Sequence, residues 1–134
     1  MLQQSQMHTS DASRPRFLTL WQIRFPVGAI VSILHRISGV LLLVLLPLLA
    51  LALDRSLRSA ADYGQLIAVL RSRAATPLVV VAVWALAQHV FAGIRHLLMD
   101  VGIGAPLAQS RTRAKIAIGA ALAVALLAAV WWLA

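Results

Sequence analysis

Apolar residues gather in three long runs separated by short polar segments. The first extends from about Val27 to Leu53, the second from about Ala74 to Met99 and the third from about Ile116 to Ala134. Each reaches the roughly 20 residues that an α-helix needs to cross a bilayer at about 1.5 Å per residue. No strict alternation of polar and apolar positions appears, and three segments are far too few strands for a closed barrel. The pattern therefore predicts an all-α membrane protein with three transmembrane helices in one membrane-anchor domain, preceded by a polar tail over residues 1–25. Pro26 suits a helix start, where its missing N–H would be unpaired anyway, and Pro47 should bend the first run. Both connections read as loops. The first holds Asp54, Arg55, Arg58, Asp62, Arg71 and Arg73, and the second holds Gly102, Gly104, Pro106, Arg111, Arg113 and Lys115.

Composition agrees. Hydrophobic residues make up 61% of the chain and charged ones 12%, about half the charged share of an ordinary soluble domain. The formal charge is +8, but the bases fall in small groups between uncharged runs, unlike the continuous basic face of a nucleic-acid binder. Six bases (Arg14, Arg16, Arg24, Arg111, Arg113, Lys115) lie on one side of the spans and four on the other. This bias places the N-terminus in the cytoplasm and the C-terminus in the periplasm of a bacterial inner membrane. Ala50-Leu51-Ala52 resembles a signal-peptide cleavage site, yet more than thirty residues precede it and His35 and Arg36 interrupt them, which suits a span better. The tail lacks the Arg-rich amphipathic pattern of an organelle transit peptide, so a mitochondrial inner membrane is the less favoured location. There is no cysteine and no glutamate. Thiol chemistry, Cys zinc sites and iron–sulfur ligation are excluded, and any metal must be held by His, Met or Asp.

Ionisable side chains inside a span are functional candidates by default. In the first run Ser32, His35, Arg36 and Gly39 share one helical face, and in the second His89, Gly93, His96 and Asp100 form another stripe with Arg95 beside it. His35 stands eighteen positions before Leu53, about 27 Å away and near the inner surface. His96 belongs to the same level, whereas His89, eleven positions before Asp100, lies about 16 Å deep, close to the midplane. A neutral imidazole at that depth can bind a metal. A haem needs only one or two axial ligands and is apolar apart from two propionates, for which Arg36, Arg95, His35 and His96 offer cations or donors. A second axial ligand must approach from the opposite face, and His35 is too shallow, so it should come from another chain. The plainer readings stay open. His35 and Arg36 could snorkel to the interface, His89 could form an interhelical hydrogen bond, and Arg95 and Asp100 could end the span as an interfacial pair. Ser32 could bond back to the carbonyl at position 28, and Gly39 and Gly93 could serve packing alone.

The strings Arg14-Pro15, Arg24-Phe25-Pro26, Ser32-Ile33-Leu34-His35-Arg36-Ile37-Ser38-Gly39 and His89-Val90-Phe91-Ala92-Gly93-Ile94-Arg95-His96-Leu97-Leu98-Met99-Asp100 closely resemble the cytochrome b subunits of succinate dehydrogenase, the larger of its two membrane anchors. The resemblance covers nearly the whole chain from about Arg14. It implies half of a two-subunit helix bundle around one haem b, with a smaller anchor subunit supplying the second axial histidine. It also implies an iron–sulfur subunit and a flavoprotein subunit on the inner face, and passage of electrons from succinate through iron–sulfur clusters to ubiquinone, in the tricarboxylic acid cycle and respiratory chain. Carried over by position, His89 matches the axial ligand of the haem iron, and His35, Arg36 and His96 match residues near the propionates. Ser32 and Arg36 match the quinone-site serine and arginine, and Asp100 an acid beside them. The family's quinone-site tyrosine has no counterpart here, Tyr63 lying in the opposite connection. A small proton or solute carrier built on His89, Arg95 and Asp100, and a purely structural anchor, are the competing readings.

Overall fold

The computed structural model describes residues 25–104 and 106–134. Most of the 1–25 tail, including Arg14, Arg16 and Arg24 of the orientation count, lies outside the described residues. Four helices follow one another: α1 (Val27–Arg58), α2 (Ala60–Leu70), α3 (Thr76–Asp100) and α4 (Leu107–Leu133). No strand occurs among the described residues. Helices α1, α3 and α4 are each long and apolar enough to cross a bilayer. The chain is thus an all-helical, multi-pass membrane protein.

Two boundaries differ from the sequence reading. Helix α1 continues through Pro47 and past Leu53 to Arg58, where Asp54 and Arg58 form an ion pair one turn apart. Helix α4 begins at Leu107, so Arg111, Arg113 and Lys115 are helical residues and not loop. The expected first loop also contains a helix, α2. Ser59 caps it: the Asp62 N–H donates to Ser59 Oγ at 3.0 Å while the Ser59 hydroxyl donates to Asp62 Oδ2 at 2.6 Å. This reciprocal serine–acid spacing is a helix start signal that a search for span-length runs passes over.

Small residues pack inside and large ones face outward. The buried hydrophobic positions are Val31 and the alanines 85, 92, 114, 117, 121 and 125, while Leu43, Leu49, Leu127 and Trp131 are exposed. Lipid removes the advantage of burying leucine, so close approach of backbones decides helix association. The four buried alanines of α4 recur on one helical face, and α3 packs most extensively against that helix, with α1 closing the other side of α3.

The α3–α4 turn is fixed by backbone chemistry. Gly102 (φ 80°) follows α3, its N–H donates to Met99 O at 3.0 Å and the Ile103 N–H donates to Leu98 O at 2.8 Å. That is a Schellman cap, which requires the left-handed conformation glycine adopts without strain. Gly104 (φ 81°) also lies beneath Arg113, whose Nε would be 2.7 Å from an added Cβ. At the opposite end the Trp132 indole N–H donates to Leu70 O at 2.9 Å, joining α4 to the end of α2.

Candidate functional site: a histidine cluster between α1 and α3

Helices α1 and α3 meet through two reciprocal notches. His89 of α3 packs on Gly39 of α1, where an added Cβ would stand 3.2 Å from His89 Cε1. His35 of α1 packs on Gly93 of α3, where an added Cβ would stand 3.5 Å from His35 Nε2. The rings of His35 and His89 stack with centroids 4.2 Å apart and planes at 16°. His96 tilts against His35 at 5.3 Å. Helical rise separates the backbones of His89 and His96 by about 10 Å, yet His35 projects between them from the facing helix. The three imidazoles therefore form one cluster, and His35 is closer to His89 than the shared level with His96 suggested.

The tautomer of a neutral His89 ring follows from its neighbours. Its Nδ1 lies 3.3 Å from His35 O and 3.4 Å from Ser38 Oγ. A carbonyl can only accept, and the Ser38 hydroxyl already donates to that same carbonyl at 2.8 Å. Nδ1 must then carry the proton and donate to both oxygens, which leaves the Nε2 lone pair available. A metal-binding histidine is oriented in this manner when its other nitrogen donates to a backbone carbonyl. Ser38 is fully buried. It lies off the Ser32/His35/Arg36/Gly39 stripe, so the polar-face pattern does not mark it, although its position three residues after His35 places it one turn away.

The remaining sequence candidates divide. Ser32 is half-buried and Arg36 exposed, one turn apart on α1. Asp100 is exposed as the last residue of α3 and makes no ion pair among the described residues, so it is not joined to Arg36. Arg95 does not enter the histidine cluster. Its side chain is 5% exposed and donates from one terminal nitrogen to Ser110 Oγ of α4 at 2.9 Å, close to Gly28 of α1. Gln88, fully buried one residue before His89, has no hydrogen-bond partner for either amide atom among the described residues. Neither Gln88 nor Ser110 was a sequence candidate, because nothing in a single sequence marks which helix face turns inward.

The model of the succinate dehydrogenase/fumarate reductase transmembrane subunits matches residues 10–129. The chain belongs to this family. A succinate dehydrogenase cytochrome b556 subunit of Coxiella burnetii is 37% identical over 125 residues, covering 90% of this chain and 98% of that protein. One of Paracoccus denitrificans is 30% identical over 115 residues, covering 86% of this chain and 88% of the relative. As a member of the transmembrane subunit family, the chain places its polar cluster where α1 and α3 cross, on spans that both bear the quoted motifs.

Proposed function

We propose that this chain is the larger membrane anchor of a succinate:ubiquinone oxidoreductase, holding one haem b jointly with a smaller anchor subunit and forming part of the ubiquinone-reduction site. The observation that carries the reading is His89 seated on Gly39 with Nδ1 turned to two acceptors. The donor set fits the group: an oriented imidazole with a free Nε2 would suit a haem iron, and the absence of Cys and Glu from the chain suits a cofactor needing few protein ligands. Bound there, haem b would supply a one-electron redox centre inside the bilayer.

His89 would hold the iron, and His35, Arg36 and His96 would hold the propionates. Arg95, engaged with Ser110, stands apart from that group. A histidine of the smaller anchor would hold the iron together with His89. Reduction of ubiquinone takes up two electrons and two protons, and negative charge builds on the carbonyl oxygens as electrons arrive. Ser32 and Arg36, one turn apart, can present a hydroxyl and a guanidinium to one such oxygen, with Asp100 on the same side of the membrane. Electrons derive from succinate oxidation by a flavoprotein subunit and pass through an iron–sulfur subunit docked at this inner end. The location that suits these roles is a bacterial inner membrane with the N-terminus cytoplasmic and the C-terminus periplasmic.

The test uses the complex purified through a tag on this chain. Ser32→Ala and Arg36→Leu should each lower succinate-dependent ubiquinone reduction by about tenfold or more, while reduction of an artificial dye by the soluble subunits persists. Equal loss of both activities would assign these residues to assembly and overturn the quinone-site reading.

A further inference from the structure

A second feature lies on the far side of α3 from the histidines. Leu98 is nine residues on from His89, on the opposite helical face. With Phe91 and Ile94 of α3, Ile116 of α4 and the two arginines Arg95 and Arg113, it lines an open groove of about 440 Å³ between α3 and α4. The groove is hydrocarbon-like except at its loop end, where the arginines are.

Neither arginine has a carboxylate partner among the described residues. Among the described residues the single ion pair is Arg58–Asp54, at the other end of the bundle. Asp100 lies five residues beyond Arg95, about 140° round the helix. Arg95 is 5% exposed, donates to Ser110, and its buried Nε is without a partner among the described residues. Arg113 donates from one terminal nitrogen to Ile103 O at 3.3 Å, which leaves most of its five donors unused. A guanidinium at the edge of a low-dielectric phase calls for an anion. The adjoining apolar trough calls for a chain.

We propose that the α3–α4 groove is a binding site for an anionic phospholipid, with the phosphate at Arg113 beside Arg95 and one acyl chain lying along the trough towards Ala120. The site does not depend on the haem or quinone reading. It faces away from the histidine cluster, on the opposite side of α3.

The experiment compares phosphatidylglycerol with phosphatidylcholine of the same acyl chains, each added in mixed micelles to the tagged complex after detergent delipidation. Retained lipid is counted by native mass spectrometry. The complex should keep phosphatidylglycerol in preference to phosphatidylcholine. Arg113→Gln should lower phosphatidylglycerol retention by about fivefold, and Ala120→Phe, which blocks the trough and leaves both arginines, should remove one bound phosphatidylglycerol per copy of this chain. Equal retention of the two lipids by the unaltered complex, or undiminished phosphatidylglycerol in both variants, would overturn the proposal. So would a groove already filled by another subunit, since neither variant would then change the lipid count.

Discussion

Gly39→Ala offers a sharp separation between stability and site geometry. A Cβ at this position would meet His89 Cε1 at 3.2 Å, so the ring must retreat by a few tenths of an ångström. Both acceptors of its Nδ1–H, His35 O and Ser38 Oγ, belong to α1, the helix it must retreat from, and they already stand at 3.3 and 3.4 Å. The retreat carries both beyond about 3.5 Å, where a hydrogen bond of this kind is no longer made. Two long bonds of about 0.5 kcal/mol each are lost. Against this, replacing a helical glycine by alanine gains about 0.8–1 kcal/mol. The terms nearly cancel, so thermal unfolding in detergent should change by less than about 1 kcal/mol. The orientation of His89 should not survive. Removing such a supporting bond from a metal-binding histidine typically weakens the metal about 10–100-fold, and haem content and redox potential of the purified complex should follow. A variant with unchanged haem content and potential would refute the argument that the Gly39 notch sets the ring. A fall of several kcal/mol with an unaltered spectrum would show instead that Gly39 serves packing alone.

Two further substitutions test the buried polar groups. In delipidated detergent Ser110→Ala should destabilise the bundle by about 1.5–3 kcal/mol by leaving the Arg95 guanidinium unpaired, whereas Arg95→Met, which removes the buried charge itself, should be neutral or stabilising; chemical denaturation of both would contradict this if Arg95→Met proved the more damaging. Gln88→Met should raise stability by about 1–2 kcal/mol, since both amide atoms are buried without a partner among the described residues, and a loss of similar size in the assembled complex would show that the amide is paired there.

Much of this architecture was legible along the chain, because length and apolarity set membrane spans almost independently of tertiary contacts. The span cores of α1, α3 and α4 follow directly from their apolar runs. Their ends are less legible: the charges of Arg111, Arg113 and Lys115 mark the limit of the apolar span and so read as loop, while the helix itself extends to Leu107. Helix α2 was missed for want of length, although Ser59 and Asp62 marked its start. Within the site, the helical repeat brought His35 and Gly39, and His89 and Gly93, to common faces, and the structure interlocks them as two notches. The rise per residue alone set His35 too far from His89, because it fixes backbone height and not where a ring projects from a facing helix. Arg95 shows the same limit from the other direction. It lies one residue, about 100°, from His96 on the helix, yet its long side chain runs to Ser110 on α4, a partner invisible before α4 is placed.

The most direct measurement is the dithionite-reduced minus oxidised visible spectrum of the complex purified through this chain, with and without His89→Leu. The unaltered complex should show a b-type band that is lost or displaced in the variant, together with an altered redox potential. A colourless intact complex, or a band and potential that His89→Leu leaves unchanged, would contradict it.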